Sequence, residues 1–85
     1  MRGKKTPLSP RQVFGKNVKR ARLLRDLSQE QVGLEAGMTR NYVGDVERGD
    51  RNIAIDNMAR LAVALKIPLH ELLNPERFHD PIDDA

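Results

Sequence analysis

A glycine at position 37, set between two residues suited to starting helices, limits this chain to a narrow set of folds. Glycine alone enters the left-handed backbone region without steric cost, so Gly37 ends whatever helix precedes it. Ser28 is a natural N-cap for that helix, because its hydroxyl can accept a bond from an otherwise orphaned N–H. Gln31, three residues on, can close a capping box. Thr39 is a second N-cap just past the glycine. The stretch from Gln29 to Arg48 therefore predicts a helix near 29–36, a turn of about three or four residues, and a second helix near 40–47.

The apolar positions agree. Val32 and Ala36 are four apart on the first helix, and Val43 and Val46 are three apart on the second, so each pair shares a face. Met38 can plug the junction. Gly33 costs its helix about 0.5–1 kcal/mol relative to alanine. One account is that the second helix crosses there too closely for a larger side chain.

Elsewhere the pattern is also helical. Ser9 can cap a helix over about 11–25 with Pro10 at its first position, and Phe14, Val18, Ala21 and then Leu24 or Arg25 form its apolar stripe. Lys16, Lys19, Arg20 and Arg25 fall mainly on other faces, whereas Arg22 lies close to the stripe. After Gly49 and a loop over 50–54, a helix from Ile55 to Leu65 would bury Met58, Leu61, Ala62 and Leu65, with Asp56 near its positive end. Pro68 opens a last short helix, PLHELL, with Leu69, Leu72 and Leu73 apolar, and Asn74–Pro75 ends it. Residues 1–10 read as a basic flexible arm, 11–74 as one domain, and 75–85 as an acidic tail from which Phe78 can fold back. No repeat or strand pattern is present. The expected fold is all-α, a compact bundle of five helices.

Composition narrows the function. Without cysteine there is no disulfide or thiol chemistry, which fits a reducing cytoplasm. No apolar run approaches the ~18 residues of a membrane span. Phe14, Tyr42 and Phe78 are the only aromatic residues, thin provision for a ligand pocket or for a single-stranded nucleic acid platform built on stacking. Charge is uneven: through Arg51 twelve Lys/Arg face six Asp/Glu, and from Asn52 onward three face six. A basic portion that contains the two-helix stretch fits a phosphate-facing surface, although ordinary solubilising charge would look the same. His70–Glu71 and the cluster His79, Asp80, Asp83 and Asp84 lack metal-ligand spacing and read as solvated surface, so neither an enzyme nor a metal or other cofactor is expected.

The stretch LSQEQVGLEAG–MTRNYVGDVERG resembles the helix-turn-helix of the phage-repressor-like, or XRE-type, DNA-binding family, over roughly residues 11 to 73. Within that family, TRNYVGDVERGDRN is most similar to the controller proteins of restriction–modification systems. Asn41 departs from the threonine usual in that subgroup, and Ala54 from the usual Ser or Thr helix cap. A single helix-turn-helix reads too few base pairs for useful specificity, so a homodimer on a pseudo-palindromic operator is expected, without a second domain to sense a small-molecule ligand. The resemblance implies a transcriptional regulator that binds double-stranded DNA. It also pairs Arg22 with Glu47 in a partly buried salt bridge.

In such a fold the second helix lies in the major groove. Arg40, Asn41, Tyr42, Gly44 and Asp45 are then the residues presented to bases, the first three foremost. Arginine suits guanine, asparagine suits adenine, and an acid can accept from cytosine. Asp45 would either specify cytosine or repel misplaced phosphates, and Gly44 gives the groove room. Gln29 and Thr39, at the starts of the two motif helices, with Arg51 and Asn52 in the following loop, are the implied phosphate contacts. Asn52 could instead make a loop or helix-cap bond, and Arg48 reads as solvent-exposed. The basic arm could reach phosphates or a minor groove, or be merely solvated. Leu69, Leu72, Leu73 and Phe78 are the expected dimer surface unless they close the monomer core. The competing reading is an antitoxin or other protein-binding regulator of the same fold, marked by an exposed apolar segment outside the motif.

Overall fold

In the computed structural model, which describes residues 7–77, local capping chemistry sets the helix boundaries. Helix α1 spans Pro10–Leu24, α2 Gln29–Ala36, α3 Arg40–Glu47, α4 Ile55–Leu65 and α5 Leu69–Leu72. Ser9 caps α1 and Ser28 caps α2, each in a complete capping box with the glutamine three residues on. Thr39 Oγ1 accepts from the Tyr42 N–H at 3.0 Å and opens α3. Ala54 gives α4 no side-chain cap, as expected. Gly37 takes the left-handed conformation (φ 74°) and turns the chain from α2 toward α3. Asp26 and Lys66 do the same after α1 and α4 without being glycine, each followed by a backbone bond that closes the helix end.

Helix α3 rests on α1 and α2, α4 crosses α2, and α5 closes the far side against α1 and α4. Phe14, Val18, Val32, Val43, Leu61 and Leu72 are fully buried where these helices meet. Leu24 lies outside that core, 74% exposed, and Leu27 beyond the helix end packs against it instead. Met38 plugs the α2–α3 junction, half-buried.

Two features hold α1 to the rest of the molecule. At Gly15 an added Cβ would fall onto the Val46 carbonyl oxygen and lie 2.9 Å from that of Glu47, so α1 and the end of α3 touch backbone to backbone. Asn17, 3% exposed, donates from Nδ2 to the Leu72 and Asn74 carbonyls at 2.9 and 2.8 Å and ties α1 to the end of α5. At Gly33 the crowding partner is not helix α3 itself. A Cβ there would meet the Met38 carbonyl oxygen at 2.5 Å, so it is the turn backbone that requires glycine.

Candidate nucleic-acid interface

The position of α3 is set from beneath by charge. Arg22 donates from Nε to Glu47 Oε2 at 2.6 Å and from Nη2 to Oε1 at 3.0 Å, a bidentate pair whose side chains are 11% and 3% exposed. Its Nη1 also donates to the Leu27 carbonyl at 2.9 Å. Glu47 Oε1 accepts a further bond from Gln29 Nε2 at 3.1 Å, so one carboxylate joins α1, α2 and α3. The expected Arg22–Glu47 bridge is therefore present. The amide of Gln29, expected to meet phosphate, is anchored through one of its hydrogens and keeps the other as a donor.

The outward side of α3 begins with Arg40 and Asn41, both exposed, and neither side chain has a partner among the described residues. Thr39, beside them, commits an oxygen lone pair to the cap and keeps its O–H to donate. Tyr42 is less free. Its ring packs against the core, its hydroxyl accepts from Asn57 Nδ2 at 3.3 Å, and the Arg51 guanidinium lies 4.7 Å over the ring centroid.

Gly44 is recessed beneath neighbouring side chains. It is buried, and a Cβ there would sit 3.3–3.5 Å from the side chains of Arg48 and Gln29, which cover it. Gly44 forms the floor of a polar concavity of about 350 Å³ whose rim includes Gln29, Arg40, Asn41 and Arg48, so it shapes the face but offers no contact. Asp45 is not an open acceptor either. Its carboxylate takes Arg48 Nη2 on Oδ1 and Arg51 Nε on Oδ2, the latter at 3.3 Å. Arg48, which the sequence pattern leaves to solvent, also donates from Nε to Asp50 Oδ2 at 3.2 Å. The spacing of Asp45 and Arg48, three apart on a helix, is the available signal for this pair. Asn52 is exposed and caps nothing, since α4 begins at an uncapped Ala54.

The same motif is found in known proteins. A helix-turn-helix family profile matches residues 18–72. Control protein C.BamHI of Bacillus amyloliquefaciens is 37% identical over 65 residues, which cover 75% of this chain and 80% of that protein. The chain belongs to the helix-turn-helix family that includes the restriction–modification controller proteins. Among solved structures, the controller protein C.AhdI of Aeromonas hydrophila is similar with a TM-score of 0.71 and 42% identity, over 73% of this chain and 94% of that one. A hypothetical transcription factor from Neisseria superposes with a TM-score of 0.78 at 32% identity, over 88% of each chain. As a member of this family, the helix-turn-helix protein is a DNA-binding transcription regulator, and the family is not one of enzymes.

The surface expected to meet a second subunit is smaller than anticipated. Leu72 is wholly buried in the monomer and unavailable to a partner. Leu69 packs half-buried against the same core, and Leu73 stays 42% exposed. Phe78 lies outside the described residues, as do the His79–Asp84 cluster and residues 1–6 of the arm. His70 and Glu71 face each other at the surface, with Glu71 also paired to Arg77. No helix among the described residues is long and apolar enough to cross a membrane.

Proposed function

We propose that the protein is a cytoplasmic homodimer that reads a pseudo-palindromic operator and regulates adjacent restriction–modification genes, including its own. The observation that carries this reading is the start of α3. Arg40 and Asn41 are exposed there without protein partners among the described residues, on a helix held rigid by the buried Glu47 cluster. These two side chains carry the base contacts, arginine to guanine and asparagine to adenine. Tyr42 lends its exposed edge, while Gln29, Thr39, Arg51 and Asn52 meet phosphates. The second subunit docks at the end of the molecule where Leu73 and Leu8 are exposed around one groove with Pro10 and Val13. Resemblance to the named control proteins supports the choice of target genes.

Selection of bound duplexes from a random pool at ~150 mM salt tests the proposal. An inverted repeat with half-sites about 34 Å apart, or a multiple of that, is the expected product. Arg40→Ala and Asn41→Ala should each erase preference at one position of the half-site. With about three phosphates per subunit, the log affinity of the dimer should fall with log salt at a slope near −5. Enrichment of no sequence would overturn the operator assignment. A protein-partner role would draw on the cleft between α2 and α4, lined by Val63 outside the motif and Leu34 within it, 78% and 77% exposed. That role gains weight if no duplex binds at all.

A further inference from the structure

We propose that Asp45 is a positioning residue that restrains Arg48 and Arg51, and thereby sets the ratio of sequence-specific to indiscriminate DNA binding. The inference rests on the DNA-binding surface described above. It concerns the one carboxylate on the outward side of α3 that carries two arginines.

Geometry makes Asp45 the hub. Its two oxygens are divided between Arg48 Nη2 and Arg51 Nε, and its side chain is 31% exposed against 61% and 48% for the arginines. Arg51 is held a second time, with its guanidinium over the Tyr42 ring, which is itself bonded to Asn57 of α4. Its two terminal nitrogens have no partner among the described residues. Arg51 is thus fixed at its inner edge and open at its tip. Arg48 is held by Asp45 and Asp50 together.

Exposed ion pairs of this kind contribute little to folding, so the effect of the cluster lies in what it does to binding. Indiscriminate affinity for a duplex comes from cations that neutralise phosphates and release counterions. An arginine already paired to a carboxylate brings less of this, because it must leave its partner or carry the negative charge toward the backbone. Two arginines and two carboxylates in one cluster carry no net charge, so an arbitrary duplex gains little from meeting them. On the correct site, Arg51 can offer its terminal nitrogens while Nε stays on Asp45. Only duplexes that fit this preset geometry then bind more tightly.

The test measures binding of the full chain to its selected operator and to a scrambled duplex of equal length, between about 50 and 300 mM salt. Wild type, Asp45→Asn, the double variant Arg48→Ala/Arg51→Ala and the triple variant are compared, each first checked for an unchanged melting temperature. Asp45→Asn should raise affinity for the scrambled duplex about three- to tenfold and steepen its salt slope by about one for each arginine released. Operator affinity should rise less, so the specificity ratio falls. In the background lacking both arginines, Asp45→Asn should change affinity less than about twofold, since nothing remains to be restrained. An equal effect in that background would overturn the proposal, because Asp45 would then act directly on phosphate or cytosine. An unchanged ratio and slope for Asp45→Asn would overturn it as well. Failure of wild type to select any operator would instead sink the operator assignment, and the scrambled-duplex measurements would still decide the role of Asp45.

Discussion

Helix α3 carries an arginine–carboxylate cluster on each side, and the two differ mainly in access to water. Beneath it, Arg22 and Glu47 are almost sealed from solvent, bidentate, and joined by Gln29. Above it, Asp45 shares two arginines in the open, with Arg48 paired also to Asp50. Similar groups thus serve different ends. In the buried cluster neither partner can be removed without stranding a charge away from water, so the pair fixes the orientation of α3. In the exposed cluster water and salt can replace either partner, so the pair can be exchanged for a phosphate or a base. One side is a foundation and the other is open to exchange.

Glu47→Ala should break this contrast most severely, with a loss of about 3–5 kcal/mol in denaturant unfolding. The loss should be nearly the same at low and high salt, since the buried pair is poorly screened. A loss that vanished at high salt would mean that the buried cluster behaves like the exposed one. Gly15→Ala comes next. Its methyl group would meet the Val46 and Glu47 carbonyls, and forcing α1 from α3 should cost about 1–3 kcal/mol. An unchanged melting temperature would show that the two backbones are not in contact. Thr39→Ala, which removes the cap on α3, should cost about 0.5–2 kcal/mol. The smallest expected effect is Asp45→Asn, which should alter unfolding by no more than about 0.5 kcal/mol. A larger loss would mean that the exposed cluster also supports the fold.

Much of the site is legible in the order of residues alone. Arg40 and Asn41 follow Thr39, and once Thr39 is read as a cap the next residues must start a helix. Arg22 stands out because a cation sits beside an apolar stripe, although its partner comes from family resemblance. Asp45 marks where such reading ends. Its spacing to Arg48 suggests a pair, but Arg51 lies beyond the helix end, and the loop geometry that returns it to Asp45 has no sequence signature. Gly44 belongs to the outward side of α3, as its position implies, yet it is not accessible, because two long side chains fold over it.

The starts of the first three helices, and the turn between the second and third, follow from residues beside them in the chain. Ser9, Ser28, Thr39 and Gly37 act on backbone groups within four residues of themselves, so their effect needs no knowledge of the remainder. Tertiary packing is what makes Gly15 necessarily small, buries Asn17, and assigns Leu72 to the core while leaving Leu73 outside it. Each of those outcomes depends on atoms tens of residues away, as Asn17 depends on carbonyls 55 and 57 positions along the chain. Local chemistry can specify a helix, but only packing specifies what stands against it.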